Sequence, residues 1–291
     1  MEAWIVLAIL SAILAAAIAL LVKRTLLQEH AMEFSAVLAL FNVFATIPLW
    51  PKVDWASITP ELLLVVFVTS ILAAAGFLLI AKGVRHMPVS TASPMLTIQP
   101  LVLVVFAFLF IHERLMGLQI VGIAVIVIGA FVMELRKGDH FLNPFKRLVH
   151  GKHHIFIIAA LIIYSVSGVF DKIILSTYHA TPYTYMVLIH FFIAIDFLIL
   201  MLIFHDGVKG ISHGVKQAGA FLFLLAILTV GMRTVQAMAI QQADVSLVVA
   251  IKRTSAIFAT IIGGSIFREE HVLRKSIGVI IMVAGALLLI L

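Results

Sequence analysis

Three cations stand inside apolar stretches of membrane length: Arg233, Lys252 and Arg253. The last two interrupt Val245 to Glu270, VSLVVAIKRTSAIFATIIGGSIFREE, which is otherwise apolar almost throughout. A charge in such a segment is costly, so it marks a candidate functional site by default. Counting 1.5 Å of rise per residue from the turn that joins their helices places Arg233 ~12 Å deep and Lys252 and Arg253 at about 11–12 Å. His190, entering from the same face, reaches a similar depth. Adjacent residues on a helix point about 100° apart, so Lys252 and Arg253 can line two sides of one cavity. Arginine offers phosphate or carboxylate a planar fork of donors, and lysine a point charge. Asp196 reads as the only carboxylate deep in the second half, nearer the opposite face. One carboxylate does not neutralise three cations, so a bound anion balances the layer. A purely structural network of polar side chains is the competing reading.

Other polar residues fall at mid-helix positions. Gln99, Asn42 and Ser11 lie in the first half, Tyr164, Gln236 and Thr229 in the second, and Thr229, Arg233 and Gln236 share a helical face. Interhelical hydrogen bonding is the alternative for each. The candidate substrate-binding set is Lys252, Arg253, Arg233, His190, Gln99, Tyr164 and Gln236. Asp196 is a candidate for carrying a coupling proton. His150, His153 and His154 have spacing that suits a metal, but in a basic loop they read as a solvated, headgroup-facing run. No Gly-rich phosphate loop, Ser/His/Asp set or paired catalytic carboxylates stands in a loop long enough for an active site. Cysteine is absent, which excludes disulfides and thiolate chemistry. No catalytic residue, metal or cofactor is expected.

The elements that must position these residues follow from composition. The chain of 291 residues is 63% hydrophobic and 12% charged, with mean hydropathy +1.20. Soluble domains are about half apolar and a quarter charged, so this is an all-α polytopic membrane protein. The net charge of +6 is spread over short loops and reflects membrane topology rather than nucleic-acid binding. The first apolar segment has no basic leader region or small-residue cleavage site and reads as a retained span. Ten segments approach the roughly 20 residues a span needs: 3–22, 33–50, 60–82, 89–111, 115–135, 154–174, 182–204, 217–241, 245–267 and 271–291.

The longest connection divides the chain into 1–135 and 154–291, with 136–153 as a basic connecting loop. The halves repeat. An offset of 149 aligns Lys23 with Lys172 and His30-Ala31 with His179-Ala180. An offset of 156 then aligns Val89-Ser90 with Val245-Ser246, Glu113 with Glu269, Gly122 with Gly278, and Gly129-Ala130 with Gly285-Ala286. At this offset Leu96 and Thr97 occupy the places of Lys252 and Arg253. Five helices is an odd number, so the second half is expected upside down relative to the first, an arrangement in which substrate sites lie at the midplane between repeats. Gly122 and Gly129 share one helical face, as do Gly278 and Gly285, and both pairs read as a packing seam, with a similar small face at Ala256, Thr260 and Gly264. Pro94 and Pro100 fall within the fourth span, where each removes a backbone hydrogen bond and is expected to kink the helix or open a hinge, with a purely structural proline as the alternative. Fourteen loop cations lie opposite the termini and three (Lys52, Arg114 and Lys172) on the terminal side, which places both termini outside the cell.

These residues resemble a family. Val89-Ser90, Pro94, Gln99-Pro100, Glu113-Arg114, Gly122 and Gly129-Ala130, with Val245-Ser246, Glu269, Gly278 and Gly285-Ala286 in the second copy, look like the EamA repeat of the drug/metabolite transporter superfamily. The resemblance covers the whole chain and implies ten helices in two inverted five-helix repeats. It implies a transporter of small metabolites in a cytoplasmic membrane, expected to be prokaryotic. Relatives in the triose-phosphate translocator branch carry a helix-nine Lys-Arg pair similar to Lys252-Arg253, which holds the substrate's phosphate. Many relatives are described with cytoplasmic termini, against the charge count here. The expectation is a secondary transporter of a small anionic solute, phosphorylated or carboxylated, whose partners are that solute and the lipid bilayer. The alternatives are a neutral amino-acid or drug exporter with structural cations, and an intramembrane enzyme acting on a lipid phosphate.

Overall fold

The computed structural model describes residues 2–25, 31–86, 96, 98–134, 154–204, 208–255 and 272–289. Among these residues the regular structure is helical. It comprises α1 (Ala3–Thr25), α2 (Ala31–Ala45), α3 (Pro60–His86), α4 (Gln99–Ile111), α5 (Gly117–Glu134), α6 (His154–Ser176), α7 (Pro182–Phe204), α8 (Val208–Gln242), α9 (Val245–Arg253) and α10 (Val272–Leu288). Each overlaps one of the apolar stretches read from the sequence. Four helical stretches, Pro60–Ile80, Ile155–Ser176, Pro182–Phe204 and Gly219–Gln242, are by themselves long and apolar enough to cross a bilayer. Their outward faces carry large apolar side chains, such as Leu64 on α3 and Leu202, Ile203 and Phe204 on α7. Apolar surface of this kind belongs against lipid.

Two elements differ from expectation, each for a local reason. The second segment was expected to run to residue 50, but α2 ends at Ala45 and passes into a 3₁₀ turn, Ile47–Lys52. Pro48 and Pro51 lack the amide protons that an α-helix would need there. The eighth was expected from residue 217, whereas α8 starts at Val208. Its first turns include Lys209, His213 and Lys216, whose polarity hides the helix from a hydropathy reading; there His213 meets the Glu33 carboxylate at 3.1 Å. Pro100 sits in the first turn of α4, where a missing N–H costs little. Pro94, the small-residue face at Ala256, Thr260 and Gly264, the remainder of the ninth span, Glu269, and His150 and His153 lie outside the described residues.

The helix contacts are symmetric under exchange of the halves. α1 packs on α8 as α6 packs on α3, α2 packs on α8 as α7 packs on α3, and α4 packs on α6 as α9 packs on α1. α2 meets α7, α4 meets α9 and α5 meets α10, so three helices touch their own counterparts. The α5–α10 seam is built on the glycines that the sequence singled out. A Cβ at Gly122 would lie 2.9 Å from the carbonyl oxygen of Gly285, and one at Gly129 would lie 2.8 Å from that of Gly278. Gly122 therefore faces Gly285 while Gly129 faces Gly278, and the two helices run antiparallel. Counterpart helices running in opposite directions require that the halves be inverted. The main core draws on both halves, joining Leu62, Val66 and Leu103 to Tyr185, Ile189 and Val248.

Candidate functional site

A cavity of about 370 Å³ lies between the halves, within the range of about 300–1,000 Å³ typical of small-molecule sites. Lys252, Arg253, Arg233, His190, Gln99, Tyr164 and Gln236 all contribute to its wall, as do Asn42 and Thr229. The route by which each arrives is local. In α9 the run Val245 to Ile251 is wholly buried against α1 and α4, and its last turn delivers Lys252 and Arg253 at the cavity. Lys252 Nζ donates to Gln236 Oε1 of α8 at 2.7 Å, and the Arg253 guanidinium donates to Gln99 Oε1 of α4. The two neighbours thus reach different walls, one on α8 and one on α4, as their angular separation on the helix predicts. On α6, Tyr164, Gly168 and Asp171 recur at helical spacing along the cavity face.

Asp171 corrects one expectation. Asp196 was read as the only deep carboxylate of the second half, but Asp171 lies on the cavity wall. It accepts a hydrogen bond from the Tyr185 hydroxyl of α7, and the Arg233 guanidinium lies against that same hydroxyl. Arg233, Tyr185 and Asp171 therefore form a chain across α8, α7 and α6 that neutralises one cation. Three cations against one carboxylate leave the described wall with a surplus of positive charge. Both ring nitrogens of His190, and Oδ1 of Asn42, have no hydrogen-bond partner among the described residues. Buried polar groups are ordinarily satisfied, so these atoms are available to hydrogen-bond a solute in the cavity. Asp196 lies off this wall and accepts a hydrogen bond from Ser70 Oγ at 2.7 Å. Ser11 also lies off it, bonded to the Ala8 carbonyl at 2.8 Å.

The family model described as the EamA-like transporter family matches residues 2–135 and again 151–291. The chain belongs to the EamA-like transporter family. Its members are membrane transporters of small solutes within the drug/metabolite superfamily, not enzymes. No curated protein matches the chain. Among solved structures, a crystal structure of a protein shares the fold with a TM-score of 0.76 at 14% identity, over 99% of this chain and 96% of that one.

The transporter ties its two repeats together at one end by groups that motif reading passed over. Glu113, in the turn between α4 and α5, accepts the Ser246 amide at 3.2 Å through Oε1 and the Ser246 hydroxyl at 3.2 Å through Oε2. It thereby caps the first turn of α9, where unpaired amides and the helix dipole favour an acceptor. Burial pushes the Glu113 carboxyl up to about 7; the Asp244 charge adds to this, while the Ser246 bonds and Lys172 oppose it. Lys172, counted from sequence as a loop cation, lies in α6 and donates to the carbonyls of Ile240 at 2.8 Å and Ala243 at 2.7 Å. A cation at the carbonyl end of α8 is in favourable company. The alignment of Glu113 with Glu269 had marked the residue, but only the packing of α4 on α9 shows what it holds.

Proposed function

We propose that this transporter moves a small anionic metabolite by alternating access between two inverted five-helix repeats, with all ten helices spanning the membrane. The observation that carries the proposal is the convergence of Arg233, Lys252 and Arg253 on one cavity wall that holds a single described carboxylate, Asp171. Lys252 and Arg253 receive the anion, in the manner of the Lys-Arg pair of the triose-phosphate translocator branch. Arg233, held by Tyr185 and Asp171, sets the far edge of the site. Gln99, Gln236, Tyr164 and His190 complete it. Both termini lie outside, as the loop cations require.

A second reading has one observation in its favour. Each cation of the pair already donates to a neutral amide, Lys252 to Gln236 and Arg253 to Gln99, which suits a structural tie in an exporter of neutral solutes. Uptake into proteoliposomes, with binding and thermal stability measured on the same variants, separates the two. An anion site predicts that Lys252→Ala weakens binding of phosphorylated or carboxylated solutes while the protein stays folded. It also predicts that Arg253→Lys, which keeps the charge but loses the fork, weakens binding by roughly tenfold or more. Loss of stability with unchanged affinity in the protein that remains folded would favour the structural tie. Chemical conversion of the solute during the assay would point to an enzyme instead.

A further inference from the structure

The cavity wall is unevenly polar. Every charged side chain that the described residues place on it, Asp171, Arg233, Lys252 and Arg253, comes from α6, α8 and α9 of the second half. The part contributed by α1, α2 and α3 is mainly apolar, with Ile18, Leu38, Ala73 and Phe77 among its members and only Ser35 and Asn42 polar. Phe77 is held in place by ring contacts to Phe34 at 6.4 Å and Phe197 at 6.2 Å between centroids. At Phe77 the apolar face is therefore backed by other rings.

We propose, building on the anion site above, that the solute is amphipathic: its acidic head meets the Lys252–Arg253 side, and a compact apolar body lies against α1–α3. A polyhydroxylated body would find only Ser35 and Asn42 as described partners on this face, and its remaining hydroxyls would turn toward Leu38, Ala73 and Phe77, which offer none. Each hydroxyl left unpaired there weakens binding by roughly tenfold. A methylene in the same place leaves water for an apolar wall and tightens binding about fourfold. The cavity thus selects against sugar-like anions and for short alkyl or aryl ones.

The test uses the intact protein in nanodiscs, with empty discs subtracted for partitioning. The probes are methyl, propyl, pentyl and hexadecyl phosphate, the alkyl carboxylates matching the first three, glycerol 3-phosphate and 1-pentanol. Within at least one acidic series affinity should rise about fourfold per methylene at first, and propyl phosphate should bind at least tenfold more tightly than glycerol 3-phosphate. Ala73→Leu fills the apolar end and should abolish the gain from propyl to pentyl while leaving methyl phosphate unchanged. Ala39→Leu, on α2 of the same apolar face, serves the same purpose should the first variant not fold. A flat series, or glycerol phosphate binding as tightly as propyl phosphate, would overturn the apolar body and leave the anion site standing. Gain continuing through hexadecyl phosphate would place the chain in the bilayer and overturn a compact body. Pentanol binding as tightly as the pentyl anions would overturn the anion site itself, and no binding by any acidic probe would overturn both.

Discussion

Asp171 and Asp196 stand in different surroundings, and only Asp196 reads from the sequence as a candidate for carrying a coupling proton. Asp171 shares the cavity with the cations and is bonded to Tyr185, whereas Asp196 is tied to Ser70 away from the wall. A carboxylate that exchanges a proton with the transported solute must reach the space the solute occupies. Asp171→Asn is therefore expected to make uptake insensitive to an imposed pH gradient, while Asp196→Asn leaves that sensitivity intact; proteoliposome uptake with and without the gradient measures both. The cation trio was legible in the sequence because a charge within an apolar run stands out at once. Asp171 was not, because it lies near the end of its segment beside Lys172 and reads as interfacial. Its partner Tyr185 comes from the next helix, and a bond between helices leaves no trace in linear spacing. Helical spacing from Tyr164 was the one signal that pointed to it.

At the scale of elements, the end of α4 and the start of α9 depend on a carboxyl that titrates near neutrality. Glu113 has its carboxyl raised from an ordinary 4.5 to about 7. A raised folded-state value means that this group stabilises the protein fully below about 4.5 and that the contribution fades as pH rises through about 7. Relative to Glu113→Gln, whose amide does not titrate, the native protein should lose stability between those pH values, by on the order of 3 kcal/mol. Melting curves of both proteins across that range test it.

The glycine seam makes a second prediction at this scale. Gly129→Ala drives a Cβ to 2.8 Å from the Gly278 oxygen and 2.7 Å from the Met282 nitrogen, so it should destabilise by about 1–3 kcal/mol. Gly231→Ala meets nothing within 4 Å in α8 and should be neutral or stabilising by up to about 1 kcal/mol. Most helices were legible from hydropathy, since apolar length is what a bilayer demands. The missed ends, in α2 and α8, lie where proline chemistry or polar first turns decide and hydropathy does not.

For the whole molecule, the loop cations predict an external C-terminus. A C-terminal alkaline phosphatase fusion should be active and a fluorescent fusion dark, with the reverse pair of results restoring cytoplasmic termini. The seam between α5 and α10 has a consequence of a different kind. Gly122 meets Gly285 and Gly129 meets Gly278, so the same surface appears once on each half and matches itself after a half-turn. That is the form of an isologous dimer contact, here made within one chain. Two separate five-helix chains inserted in opposite orientations would find each other through it without any connecting loop. Residues 1–135 and 151–291, produced as separate polypeptides in one cell, should therefore copurify, and Gly129→Leu in the first piece should lower the yield of the complex. Joining the halves in one chain would then serve to guarantee equal numbers of two subunits.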